Sequence, residues 1–271
     1  MIECFVLKLV TGISLMWLMM PRKEVTDGFF RIQMLVALGL CVLLVLTVRP
    51  LSEAQDTNSD ADVLNPSVMT SGTGTQAGTK FIRIAQIVAA VIAFAGHIVW
   101  KLGRRLPGAI AIYSVATLCL SSVVTDSCAS GLNFDSVQLL LSDLASSAVL
   151  GATLTAMLLG HWYLTTPTMS IGPLSWFTKA LAFAAVGRLL MTCISFGRFG
   201  FASHDLVHLL WLIVRIVGGI LVPFATALVV ARILRYRNTQ SATGVLFAAL
   251  ILVFMGEMTA ALLERDLRIP Y

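Results

Sequence analysis

Long apolar runs alternate with short polar breaks along the whole chain. Eight stretches approach the roughly 20 residues that a helix needs to cross a bilayer. They run approximately over 2–20, 31–48, 81–101, 107–124, 137–164, 173–197, 205–234 and 240–263. The pattern predicts an all-α, polytopic integral membrane helix bundle of about eight transmembrane helices, with residues 1–271 forming a single transmembrane domain. The fifth and seventh stretches exceed the span length, so those helices are expected to tilt or to extend past the lipid. The first stretch lacks a basic leading segment and a small-residue cleavage site. It reads as a span and not as a removed signal peptide.

Only one segment breaks the rhythm. Residues 50–80 are rich in Ser, Thr, Gly, Asp and Asn. Such a composition buries little apolar surface, so a disordered loop is expected between the second and third helices. Its acids Glu53, Asp56, Asp60 and Asp62 read as a solvated spacer and not as a binding site.

Composition agrees with the pattern. Apolar residues are 58% of the chain and charged residues 12%, against about 45–50% and about 25% in soluble domains. The net charge of +5 is spread over short loops. There is no dense Lys/Arg run with interleaved aromatics, so nucleic acid is not an expected partner; the lipid bilayer is. The basic residues instead give orientation. Arg22, Lys23, Arg31, Lys101, Arg104, Arg105, Arg232, Arg235 and Arg237 lie on the odd-numbered loops. Arg49, Lys80, Arg83, Arg198, Arg265 and Arg268 lie on the other side, three of them flanking the long loop. The excess of Lys and Arg places the odd loops in the cytoplasm, with both termini and the 50–80 loop outside. The five cysteines form no C-x-x-C pair and imply no disulfide framework or metal centre.

Local signals mark the helices. Pro107 and Pro173 sit where a helix start tolerates a missing N–H. Asn238 or Thr239 can cap the last helix. Gly218, Gly219 and Pro223 lie inside the seventh stretch and predict a kink or a close approach. In the fifth stretch Asp143, Ser147, Gly151 and Thr155 recur every four residues, a small polar stripe suited to a helix–helix contact.

Four charges inside the apolar runs are singled out: Asp143, Arg188, Arg215 and Glu257. A charge at membrane depth costs about 2.5–3.5 kcal/mol on insertion scales, so each needs a partner or a role. By the helical rise, Asp143 and Glu257 fall about 8 Å from the outer ends of their helices, and the two arginines about 13–15 Å. Two acids and two arginines on four helices at similar depths form one candidate cluster, formally neutral. It fits a polar pocket for a quinone, an ion or a proton, and equally a structural ion-pair lock. On the seventh helix His204, His208, Trp211 and Arg215 share a face, with Asp205 at the helix start where a carboxylate suits the dipole. His208 therefore joins the candidates. The second constellation is His97 with His161, near the inner ends of the third and fifth helices. Facing histidines can ligate a b-type haem, but one pair without further signatures is the weaker candidate. No nucleotide-binding loop, zinc-protease motif or nucleophile elbow occurs. No residue is assigned a catalytic role and no metal site is expected. The chain reads as a non-catalytic membrane subunit more than as a stand-alone enzyme.

Gly160-His161-Trp162-Tyr163-Leu164, and Thr239-Gln240-Ser241-Ala242-Thr243-Gly244 followed by Gly256-Glu257, resemble a family of bacterial multi-pass inner-membrane proteins without an assigned activity. The resemblance covers roughly the C-terminal half. The Gly256-Glu257 pair and the topology are also similar to the DmsC/NrfD-type anchor subunits of respiratory oxidoreductases. That similarity implies an outward N-terminus, a quinol site toward the outer face, redox partner subunits and no haem. The expected role is a quinone-interacting or anchor subunit of a respiratory redox complex in a bacterial inner membrane. The alternatives are a proton- or ion-coupled transporter, or a structural or assembly protein.

Overall fold

The structure is a computed structural model, and it describes residues 1–21, 24–48, 69–129, 131, 133–166, 169–200 and 205–267. All secondary structure among these residues is helical. The helices are α1 (Ile2–Met19), α2 (Asp27–Thr47), α3 (Met69–Lys101), α4 (Arg105–Ser127), α5 (Phe134–Thr165), α6 (Gly172–Phe199), α7 (Leu206–Arg235) and α8 (Thr239–Leu267). Among the described residues, eight helices are long and apolar enough to cross a membrane. They coincide with the eight apolar runs. Arg22, Lys23, Arg49, His204, Arg268 and residues 50–68 lie outside the described residues.

One boundary differs from expectation. Helix α3 starts at Met69, inside the segment expected to be a loop up to residue 80. Once an apolar span has supplied the nucleus, each added helical residue gains a backbone hydrogen bond at little cost, even in a Thr- and Gly-rich flank. The α3–α4 connection is a tight turn. The Gly103 N–H bonds the Trp100 carbonyl and the Arg104 N–H bonds the Val99 carbonyl. Gly103 has φ +67°, the left-handed conformation that this helix end requires. At the start of α8, the Asn238 side chain accepts the Ser241 N–H at 3.0 Å, as the sequence predicts for a cap.

Helix α5 is the most buried of the eight and packs against α1, α4, α6 and α8. Its sequence explains this. Ser142, Ser146, Ser147, Gly151, Ala152, Thr155, Ala156 and Gly160 are all buried and all small. They let several neighbours approach one backbone at once. The small polar stripe receives α1. A β-carbon on Gly12 would overlap the Ser147 carbonyl, and one on Gly151 would overlap the Gly12 carbonyl. Helices α2, α3 and α4 form the flank of the bundle, joined by α2–α3 and α3–α4 packing. There Phe30 of α2 stacks on Trp100 of α3, centroids 4.7 Å apart.

Helix α7 is not regular throughout. Val217–Leu221 form a π-helical turn, which contains Gly218 and Gly219 and is followed by Pro223 in the next turn. A β-carbon on Gly218 would press on the Leu252 carbonyl of α8, and one on Gly256 would press on the Gly219 backbone. The sequence signal for a kink or a close approach is thus realised as a close approach beside a π-helical turn. The widened turn lets α7 and α8 cross with their backbones in contact.

Candidate functional site

The interior of the bundle holds a charge network between α1, α5, α6, α7 and α8. Glu257 of α8 is its centre. Its Oε1 lies 2.6 Å from Arg215 Nη1 and 3.4 Å from Arg188 Nε. Its Oε2 accepts the Ser146 hydroxyl of α5 at 2.7 Å. Arg188 Nη1 also donates to the Ser142 hydroxyl at 2.6 Å and to the Ser142 carbonyl at 3.3 Å. Arg188, Arg215 and Glu257 are fully or almost fully buried. One carboxylate therefore serves two guanidinium groups. Gly219 makes room, since a β-carbon there would collide with Arg215 Nη1.

Asp143 belongs to a second pair. Among the described residues its ion pair is with a lysine and not with an arginine, although the sequence allowed that pairing. Its Oδ1 lies 2.7 Å from Lys8 Nζ of α1, and its Oδ2 accepts the Ser127 hydroxyl of α4 at 2.8 Å. Lys8 also reaches Glu264 of α8 at 3.6 Å. The physical reason is position. Asp143 faces α1 along the same stripe as Ser147 and Gly151, whereas Ser142 and Ser146 face α6 and α8. The two pairs are joined through adjacent residues of one α5 turn.

Lys8 is the member that sequence reasoning missed. The signal was present, because it lies six residues inside the first apolar run. A lysine near a helix end reads as a residue that reaches out to the interface along its apolar stem. Here the chain folds it inward, with 14% side-chain exposure. Replacement of Lys8 by methionine is expected to cost about 3 kcal/mol, because Asp143 stays buried without its cation. The combined Lys8→Met and Asp143→Leu variant is expected to recover most of that loss. Thermal unfolding in detergent, followed by tryptophan fluorescence, measures both.

The remaining candidates lie elsewhere. His208 sits near the start of α7. Its Nδ1 is 3.5 Å from Asp205 and its Nε2 is 3.8 Å from Asp266, with the Trp211 ring edge-on at 5.5 Å. It is two helical turns from Arg215 and serves the bundle end. His97 Nδ1 lies 3.1 Å from the Arg31 carbonyl of α2, and His161 is exposed on α5. Helix α3 packs on α2 and α4, while α5 packs on α1, α4, α6 and α8, so the two histidines have different surroundings. No group of three or more His, Cys, Asp or Glu among the described residues is placed to hold a metal ion. A further ladder ties α5 to α6. Gln138 donates to Ser195 at 3.2 Å and accepts from Arg198, which also pairs with Asp135 at 2.9 Å.

Fold and site together define a class: among the described residues, a bundle of eight helices long and apolar enough to cross a membrane, with a buried charge network between them. No protein-family model, curated protein or solved structure matches the chain.

Proposed function

We propose that the chain is an integral membrane protein whose buried charge network is a ligand site. Support for insertion comes from the outer faces of the helices. Leu46, Leu106, Phe183 and Leu206 are each more than three-quarters exposed, and similar apolar residues cover the bundle. An exposed apolar surface of this extent is unstable in water and suits lipid. The basic loops support an orientation with both termini outside, and the resemblance to bacterial multi-pass inner-membrane proteins implies a bacterial inner membrane.

Within that frame the protein acts as a quinone-interacting or anchor subunit of a redox complex, as its similarity to DmsC/NrfD-type anchors implies. The observation that carries a ligand role is the Arg188–Arg215–Glu257 triad, two guanidinium groups on one carboxylate, fully enclosed by α5–α8. A charge set of this kind in the interior of a spanning bundle is a functional-site candidate by default. A quinone carbonyl would accept from an arginine, and a partner subunit would carry the electrons. Purification from native membranes tests the reading. Redox subunits and extractable quinone are expected to accompany the protein. A solitary, quinone-free protein in the carbonate-resistant membrane fraction would remove the anchor role and keep the membrane assignment. A transporter is the second reading, supported by the charged groups enclosed in the bundle, which suit an ionic ligand. It predicts flux in proteoliposomes holding this chain alone.

A further inference from the structure

Arg215 is used on only one side. Its Nη1 donates to Glu257, while Nε–H and Nη2–H meet no acceptor among the described residues. The residue is fully buried. In a guanidinium group Nε–H and one Nη2–H lie along the same edge and point in parallel. That edge is the fork that grips both oxygens of a carboxylate. Buried donors without acceptors are costly, about 1–3 kcal/mol each and more when charged, so this donor edge calls for an acceptor.

Charge points the same way. Lys8 is shared by Asp143 and Glu264, whereas Glu257 is the one carboxylate shared by Arg188 and Arg215, so the two guanidinium groups have a single anion between them. A second carboxylate, brought by a ligand, would give Arg215 the partner that its free edge lacks. The backbone beside Arg215 is also unusual. The π-helical turn Val217–Leu221 starts two residues later, and such turns accompany functional sites.

We infer that the Nε/Nη2 edge of Arg215 binds a monoanionic carboxylate, held bidentately. The inference rests on the charge network being a ligand site, and it names the chemistry of the ligand. A neutral quinone would fill the fork with one carbonyl oxygen at most. The carboxylate can come from the aqueous phase or from a fatty acid in the bilayer.

Binding to the full chain in detergent, measured by calorimetry, separates these cases. The probes are sodium benzoate as the soluble carboxylate, palmitate as the lipid one, benzamide as the uncharged isostere of benzoate, and a short-chain ubiquinone. Saturable binding of benzoate or palmitate, without benzamide binding, is expected, and the better of the two identifies the source. Arg215→Lys keeps the charge and removes the fork, so it should weaken that binding about tenfold or more. A second measurement needs no variant: in arginine-¹⁵N-labelled wild-type protein, one Nε–H resonance should move on adding the carboxylate. The inference is overturned if neither carboxylate binds saturably, if Arg215→Lys binds as the wild type does, or if no arginine resonance moves. Binding of the quinone alone would also overturn it, while leaving the anchor reading intact.

Discussion

Leucine at position 12 or 151 is expected to stop the bundle from assembling. The two glycines face each other where α1 crosses α5, and each β-carbon would fall on the opposite backbone. Backbone cannot rotate away as a side chain can, so the helices must separate. Separation would pull Lys8 from Asp143 one turn away and uncover the stripe that α5 buries. Overpacking usually costs about 1–3 kcal/mol. A clash of backbone on backbone, with an ion pair lost beside it, belongs with the exceptional cases above about 4 kcal/mol. Gly39→Leu is the control, because a β-carbon there meets nothing within 4 Å. Membrane-fraction yield and the unfolding midpoint in detergent should fall sharply for Gly12→Leu and Gly151→Leu and stay near wild type for Gly39→Leu. Equal midpoints for all three would contradict the α1–α5 contact.

The second large effect is expected at Glu257. Glu257→Gln leaves two buried guanidinium groups with no carboxylate between them. Removing one partner of a buried pair costs about 3–5 kcal/mol, and here one removal strips two. Glu257→Leu should be as harmful. By contrast, replacing all three charges at once, with Arg188→Met, Arg215→Met and Glu257→Leu, should restore most of the stability, because no charge is left to desolvate. Chemical unfolding of the four proteins in detergent measures the series. The triple variant also separates a ligand site from a mere lock. As a ligand site it folds and loses binding. A triple variant that folds and binds as the wild type does would make the network purely structural.

Much of this was legible without coordinates. The eight apolar runs correspond to the eight helices because helix length is set by local composition, and a run of about 20 apolar residues has few other stable forms. The α5 stripe at spacing four identified a contact face, since residues four apart share one side of a helix. The Asn238 cap is equally local, needing only an amide oxygen three residues before a free N–H. Even the glycine pair in α7 announced an irregularity.

What remained hidden was the choice of partner. Glu257 could have paired with either arginine and pairs with both, and Asp143 could have met an arginine and instead meets Lys8. Residues 8 and 143 are joined by the way α1 and α5 cross, and nothing in either segment states the other's rotation. Depth along the helix placed four charges at one level. Which of them touch depends on the angular facing of five helices, a property of their packing. The sequence alone therefore determined the helices, their lengths and the presence of buried charge, which follow from short-range pattern and the cost of desolvation. Only the tertiary structure brought Lys8 into the network and divided the set into a lysine shared by Asp143 and Glu264 and a carboxylate shared by two arginines. Ion pairs depend on distances between segments far apart in the chain, and those are fixed by how the helices cross.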